Sequence, residues 1–193
     1  MLSLVIRLQK LKLVMMIICC IIVIAMLIIN YNSILKIFYP LHYKKAIFTY
    51  ADEYNLDPYL VAAIIKVESK FNEDAISERG ARGLMQIMPS TGEWIAGELG
   101  IEDFNPDLLY GPKLNINLGS WYLAHLKKIF SNDLTLVIAA YNGGQGNVNR
   151  WLELKQWSGR HRDSDQIPFP ETRAYVKKVT KTYQRYRKIY QSE

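Results

Sequence analysis

Cysteine is nearly absent: the chain has only Cys19 and Cys20, adjacent to one another, and none after them. No disulfide framework is therefore available to whatever follows, which must be held by its own core. The three histidines, His42, His125 and His161, are scattered and show no metal-ligand spacing; exposed loop or helix positions account for them. No glycine loop of the phosphate-cradling kind occurs, no internal repeat, and no alternating strand pattern of any length. We expect neither a metal nor a cofactor. The formal net charge is +6, from 24 Lys+Arg against 18 Asp+Glu. Three of those positive charges, Arg7, Lys10 and Lys12, precede an apolar run, so the remainder is only mildly basic. That suits a surface facing an anionic polymer or membrane and is too weak to argue for nucleic acid.

The apolar run spans 13–29 without one charge, which reaches the lower bound for crossing a bilayer. The basic residues before it place the N-terminus in the cytoplasm and the rest outside. The competing reading is a cleaved signal peptide, but the run is longer than a usual apolar signal core and no small-residue cleavage site follows. Cys19 and Cys20 read as apolar filler in the span. A lipid attachment site is disfavoured by the large Ile17 and Ile18 before them. The expected organisation is a cytoplasmic segment 1–12, a signal-anchor 13–30, a linker 31–41 and one domain, 42–193.

Within that domain the helical signals dominate. Asp57-Pro58 reads as an N-cap with proline at the first helical position. Val61, Ile64 and Ile65 follow at i, i+3 and i+4, and the i+7 position on that face is Glu68. A carboxyl where the period asks for a core residue tends to be held protonated, the state a general acid needs at neutral pH. The alternative is a frayed helix end that lets Glu68 bend out to water or pair with an Arg. Further helices are expected over 42–55, from Ser90 (the spacing Ser90-Thr91-Gly92-Glu93 suits a capping box), across Leu114, Leu118, Trp121, Tyr122, Leu126 and Ile129, over 133–142 up to the stop Gly143-Gly144, and from Glu171 to the end. The stretches 72–82 and 146–170 read as polar, irregular loops, and 82–88 as at most a small β-hairpin. The fold class is mainly α.

Four segments carry a resemblance: Val67-Glu68-Ser69-Lys70-Phe71, Gly83-Leu84-Met85-Gln86, Ala140-Tyr141-Asn142-Gly143-Gly144, and 168–176, Pro-Phe-Pro-Glu-Thr-Arg-Ala-Tyr-Val. Each alone is weak; all four in order resemble the catalytic domain of the soluble lytic transglycosylases, goose-lysozyme-like enzymes that cleave bacterial peptidoglycan. The resemblance covers roughly 43–186 and implies a lysozyme-like helical domain. It further implies that Glu68 is the catalytic acid/base, and that Ser69, Met85, Gln86, Tyr141, Asn142, Glu171 and Tyr175 contact substrate or line its cleft. The reaction it implies is non-hydrolytic: Glu68 serves first as acid and then as base, and the muramic acid's own 6-hydroxyl closes a 1,6-anhydro ring. A hydrolytic muramidase on the same fold and an inactive wall-binding module are the alternatives. The expected partners are peptidoglycan glycan strands, and the membrane through one N-terminal helix. The expected location is the extracytoplasmic side of the cell membrane.

Overall fold

The computed structural model describes residues 2–191. The chain divides into two compact units, Met1–Pro40 and Leu41–Glu193. The first holds α1 (Leu2–Ile29) and α2 (Tyr31–Phe38). Within α1, the stretch Arg7–Ile29 is long and apolar enough to cross a membrane. The segment read as a linker is thus mostly helical: Ile34, Leu35 and Phe38 recur on one face of α2, while Ser33 and Lys36 interrupt it.

The second unit is helical throughout, and among the described residues its β structure amounts to two isolated bridges, Ile76 with Arg82 and Arg82 with Ile87. The expected hairpin is therefore reduced to single backbone pairings around Arg82. Helices α3 (Lys44–Glu53), α4 (Pro58–Glu68), α5 (Pro89–Glu98), α6 (Pro112–Ile129), α7 (Leu134–Gly143), α8 (Gln145–Glu153) and α9 (Pro170–Tyr190) surround one core, with short 3-10 turns at Pro106–Tyr110 and His161–Gln166.

The centre of this core is α4. Its start is capped as expected: Asp57 accepts a hydrogen bond from the Tyr59 amide at 2.8 Å, and Pro58 follows. Its middle goes beyond the expected single apolar face, because every residue from Leu60 to Ile65 is buried. A helix apolar all round must be enclosed, and α9 packs on it most extensively, with α3 beside it. On α9 the buried Tyr175, Val176, Val179, Tyr186 and Ile189 form the facing stripe.

Three sequence expectations are corrected here. Helix α5 begins at Pro89 with Met88 before it, and no side chain caps it, so the Ser90 capping box does not form. Proline at N1 supplies the helical φ in advance and has no amide to satisfy. The stretch 146–170 is irregular only in part: α8 occupies its first part because Val148 and Trp151, at i and i+3, bury against the domain, with Trp151 meeting Phe169 at 5.0 Å, and 154–160 remains without a helix. On α6 the buried face runs through Asn115, Ile116, Leu118, Gly119, Leu123 and Leu126, whereas Trp121 and Tyr122 are half-buried and Ile129 is exposed. The aromatics lie at the border of the stripe rather than in it.

The presence of Asn115 on a buried helix face has a physical reason. Its amide oxygen accepts from the Met85 amide at 2.7 Å, and its amide nitrogen donates to the carbonyls of Leu109 at 2.7 Å and Arg82 at 2.9 Å. It thereby satisfies three backbone groups of loops that have no ladder of their own. Gly83 completes the arrangement, with φ +73°, and a Cβ there would collide with both Leu109 and Asn115. Replacing Asn115 with Ala is expected to destabilise the domain by about 3 kcal/mol, since three buried groups lose their partner together. Urea unfolding measures this, and a change below about 1 kcal/mol would mean that water replaces the amide.

Candidate active site

Glu68 is the last residue of α4, and the chain leaves the helix abruptly after it. Ser69 caps the end, with its amide and hydroxyl both directed to the Ile65 carbonyl, while its hydroxyl accepts from the Phe71 amide at 3.1 Å. Lys70 and Phe71 follow at φ +55° and +68°. Two consecutive left-handed residues turn the backbone away and leave the Glu68 side chain, half-buried, at the helix mouth. Ser69 is therefore engaged with its own backbone.

The carboxyl of Glu68 accepts a hydrogen bond from the Tyr175 hydroxyl at 2.7 Å. Burial raises its pKa from the usual 4.5 to about 7; the Tyr175 hydrogen bond opposes the rise, the charge of Glu171 adds to it and that of Lys178 reduces it. The negative end of the α4 dipole also disfavours the ionised form. Glu68 thus stands where both protonation states are accessible near neutrality. The tyrosines around it do not ionise there: burial and the Glu68 charge push Tyr175 and Tyr141 well above their usual value.

Tyr141, near the end of α7, donates its hydroxyl to the Met85 carbonyl at 2.9 Å. It joins the Glu68 neighbourhood to a hollow of about 270 Å³ that is also lined by Gln86, Thr91, Tyr122, Asn142 and Gly144. Glu68 itself stands outside the lining of this hollow. Gln86 holds a left-handed backbone at φ +49°, and its amide nitrogen donates to the carbonyls of Ala75 and Gly83. Asn142 accepts from the Thr172 hydroxyl at 2.7 Å, which ties α7 to α9 beside the hollow.

Met85 and Glu171 depart from their expected places. Met85 is fully buried with its thioether against Gly119, so it meets the site through its backbone carbonyl and not through its side chain. Glu171 is exposed on the first turn of α9 and forms a loose 3.8 Å ion pair with Arg79, itself exposed. Arg173 neither ties Glu171 nor faces the hollow; it donates to the Ile167 carbonyl at 2.8 Å. The loop carboxylates are accounted for as well: Glu73 accepts from the Tyr43 hydroxyl, while Asp74 and Glu78 are exposed. Among the described residues, then, no second carboxylate touches Glu68. Sequence reasoning missed Asn115 and Thr172, whose role of holding Met85 and Asn142 is set by contacts 30 residues away along the chain in each case.

Residues 45–163 match the Transglycosylase SLT domain. The chain belongs to this family. It is 37% identical over 146 residues to the soluble lytic murein transglycosylase of Salmonella typhimurium, a match covering 73% of this chain and 22% of that protein. Membrane-bound lytic murein transglycosylase C of Actinobacillus pleuropneumoniae is 33% identical over 158 residues, with 70% and 43% covered. The structure of an inactive mutant of the lytic transglycosylase Slt from Pseudomonas aeruginosa superposes with a TM-score of 0.73 at 33% identity, across 80% of this chain and 25% of that one. The chain thus spans about a fifth of the Salmonella relative and under half of the Actinobacillus one. The fold is the helical one of the Slt structures, as the motifs implied.

Two consequences of this SLT site are measurable. Because the folded pKa of Glu68 is above the unfolded one, the folded state keeps a proton that the unfolded chain has lost, and stability falls as pH rises from about 4.5 to about 7. Glu68→Gln is expected to remove that slope, worth about 3 kcal/mol, in urea unfolding across the interval; an unaltered slope would assign it to other groups. Second, Tyr175→Phe removes a donor that favours the carboxylate, so the Glu68 titration, followed by carboxyl NMR, moves to higher pH. Glu171→Gln removes a repelling charge and moves the titration lower. Shifts of the same sign in the two variants would contradict this account of the site.

Proposed function

We propose that this SLT protein is a peptidoglycan lytic transglycosylase, cleaving the β-1,4 bond between N-acetylmuramic acid and N-acetylglucosamine without water and so remodelling the cell wall. The observation that carries the reading is a half-buried carboxyl, Glu68, with pKa about 7 and a tyrosine hydroxyl on it, beside a hollow whose described lining carries no carboxylate. Glycosidases that use a nucleophile or a water set a partner carboxylate across the scissile bond, about 5–10 Å from the acid. A single group that first gives and then takes a proton suits an internal attack.

In the proposed reaction the protonated Glu68 donates to the glycosidic oxygen as the C1–O bond breaks, releasing the N-acetylglucosamine end as an alcohol. The carbonyl oxygen of the muramic acid's N-acetyl group supports the cation forming at C1. The 6-hydroxyl of the same sugar then attacks C1, and its proton passes to the Glu68 carboxylate, which regenerates the acid. Tyr175 holds the carboxylate between the two transfers, and its hydrogen bond matters most while Glu68 is charged. Tyr141, Gln86 and Asn142 form the sugar-facing wall, and the glycines after Asn142 let the backbone approach the ligand. In this reading Ser69 and Met85 position the site through the backbone, and Glu171 acts on Glu68 through its charge.

We further read 13–30, most of it within the apolar stretch of α1, as an uncleaved membrane anchor, with Arg7, Lys10 and Lys12 on the cytoplasmic side and 42–193 outside, facing the glycan strands. A reporter fused after Glu193 is expected to be active only outside the cytoplasm, and recovery of a shorter soluble chain would identify a cleaved signal instead. For the chemistry, Glu68→Gln should lower turnover of purified murein by about two to four orders of magnitude. The wild-type product should carry a 1,6-anhydro end by mass. A reducing end would assign the site to a hydrolytic muramidase, and retention of more than about a tenth of the rate in Glu68→Gln would remove Glu68 from the reaction.

A further inference from the structure

The half-buried aromatics at the border of α6 form a cluster that core packing does not account for. Trp121, Tyr122 and His125 lie on one side of α6, with the His125 ring nearly parallel to that of Trp121 (11°, centroids 5.3 Å apart) and to that of Tyr122 (14°, 6.5 Å). Trp94 of α5 stands edge-on against Trp121 at 5.3 Å, His125 at 5.2 Å and Tyr122 at 6.2 Å, and remains 40% exposed. Tyr122 belongs also to the hollow, where it packs on Tyr141 at 5.6 Å. Thr91 and Ile95, one turn and one residue from Trp94, line the same hollow. An unbroken run of rings therefore leads from Tyr141, beside Glu68, out to the surface at Trp94 and Trp121.

An exposed tryptophan backed by half-buried rings beside a hollow is the kind of apolar patch that marks a ligand groove. Neither Trp94 nor Trp121 donates its indole N–H to another described residue, whereas the buried Trp157 donates to the Arg160 carbonyl at 3.3 Å. The exposed Trp94 thus presents an apolar face and an unused donor together, with the half-buried Trp121 and its own unused donor beside it. A pyranose with equatorial substituents offers the complement, axial C–H groups on its faces and hydroxyls at its edge.

We propose that Trp94 and Trp121 form an outer sugar-stacking platform that continues the cleft wall of Tyr122 and Tyr141 and holds the glycan strand beyond the scissile bond. The proposal rests on the reading of the cleft as a glycan site and adds a preference to it: long strands engage the platform, and fragments that fill only the cleft do not. His125 is a positioning residue, its ring stacked between those of Trp121 and Tyr122.

The test uses the full chain in detergent micelles. With Glu68→Gln blocking turnover, peptide-free glycan strands and the N-acetylglucosamine dimer are titrated by calorimetry. Trp94→Ala or Trp121→Ala is expected to weaken strand binding about tenfold, as for loss of one aromatic contact, and dimer binding less than about twofold. Trp94→Phe keeps a ring and should retain most of the strand affinity. With Glu68 intact, Trp94→Ala should raise KM on strands and leave kcat within about twofold. Unchanged strand affinity overturns the platform, and so does equal weakening of strand and dimer, or a fall in kcat at constant KM, since those outcomes describe structural support. If the Glu68→Gln chain with both tryptophans binds no glycan at all, the reading of the cleft fails and the platform with it. If it binds strands equally well with and without Trp94, the platform alone fails.

Discussion

The structure depends on keeping one carboxyl at the end of a helix whose middle, from Leu60 to Ile65, is wholly apolar and buried. Burial and the helix dipole both favour the neutral form of Glu68, while Tyr175 favours the charged form, and the balance lies near pH 7. Neither influence is local. The burial comes from α9 packed along α4, and the hydrogen bond comes from a residue 107 positions later on that same α9. Docking of the last helix therefore completes the core and sets the acid in one event, and loosening of that contact would affect stability and proton transfer together.

Part of the wall beside the acid is a turn with no regular structure of its own. The Gly83–Gln86 turn stays in place because Asn115 takes up its backbone groups from the core side and Tyr141 takes the Met85 carbonyl from the site side. A buried polar residue placed in this way costs little, because each of its groups is matched. It also transmits geometry: α6 holds the turn, the turn receives Tyr141, and Tyr141 borders both Glu68 and the hollow. The same logic joins α7 to α9 through Asn142 and Thr172. Rigid helices contribute the polar ties and the turns contribute the surface, a division that suits a site needing both firmness and backbone access.

Glu171 shows how position in sequence and position in space separate. It stands one helical turn before Tyr175, and that spacing alone places the two on a shared face. In the folded domain Tyr175 is only 7% exposed while Glu171 reaches solvent and meets Arg79. The first turn of α9 projects past the edge of α4, so one residue of the pair enters the core and the other does not. Its charge still reaches Glu68 and adds to the rise of that carboxyl's pKa.

Much was legible from residues near one another in the chain. The Asp57-Pro58 cap, the apolar body of α4, the stop at Gly143-Gly144 and the amphipathic α9 all follow from local geometry and period, and so does the mainly helical class. Glu68 was visible as a carboxyl interrupting an apolar face. Local pattern failed where a side chain's job lies elsewhere in the chain. Asn115 reads as an ordinary polar helix residue until Met85, Leu109 and Arg82 surround it, and Met85 reads as a surface contact until Gly119 makes room for its thioether in the core. The aromatics of α6 fit a buried stripe by spacing, yet they stand half-buried at its rim, against Trp94 of α5. Sequence determined most of the helices, though not α2 or α8, and marked Glu68 as the carboxyl on an apolar face, because those depend on neighbours within a turn or two. Which side chains face the cleft was decided only by tertiary packing, because that depends on how far each helix end projects past the one it covers.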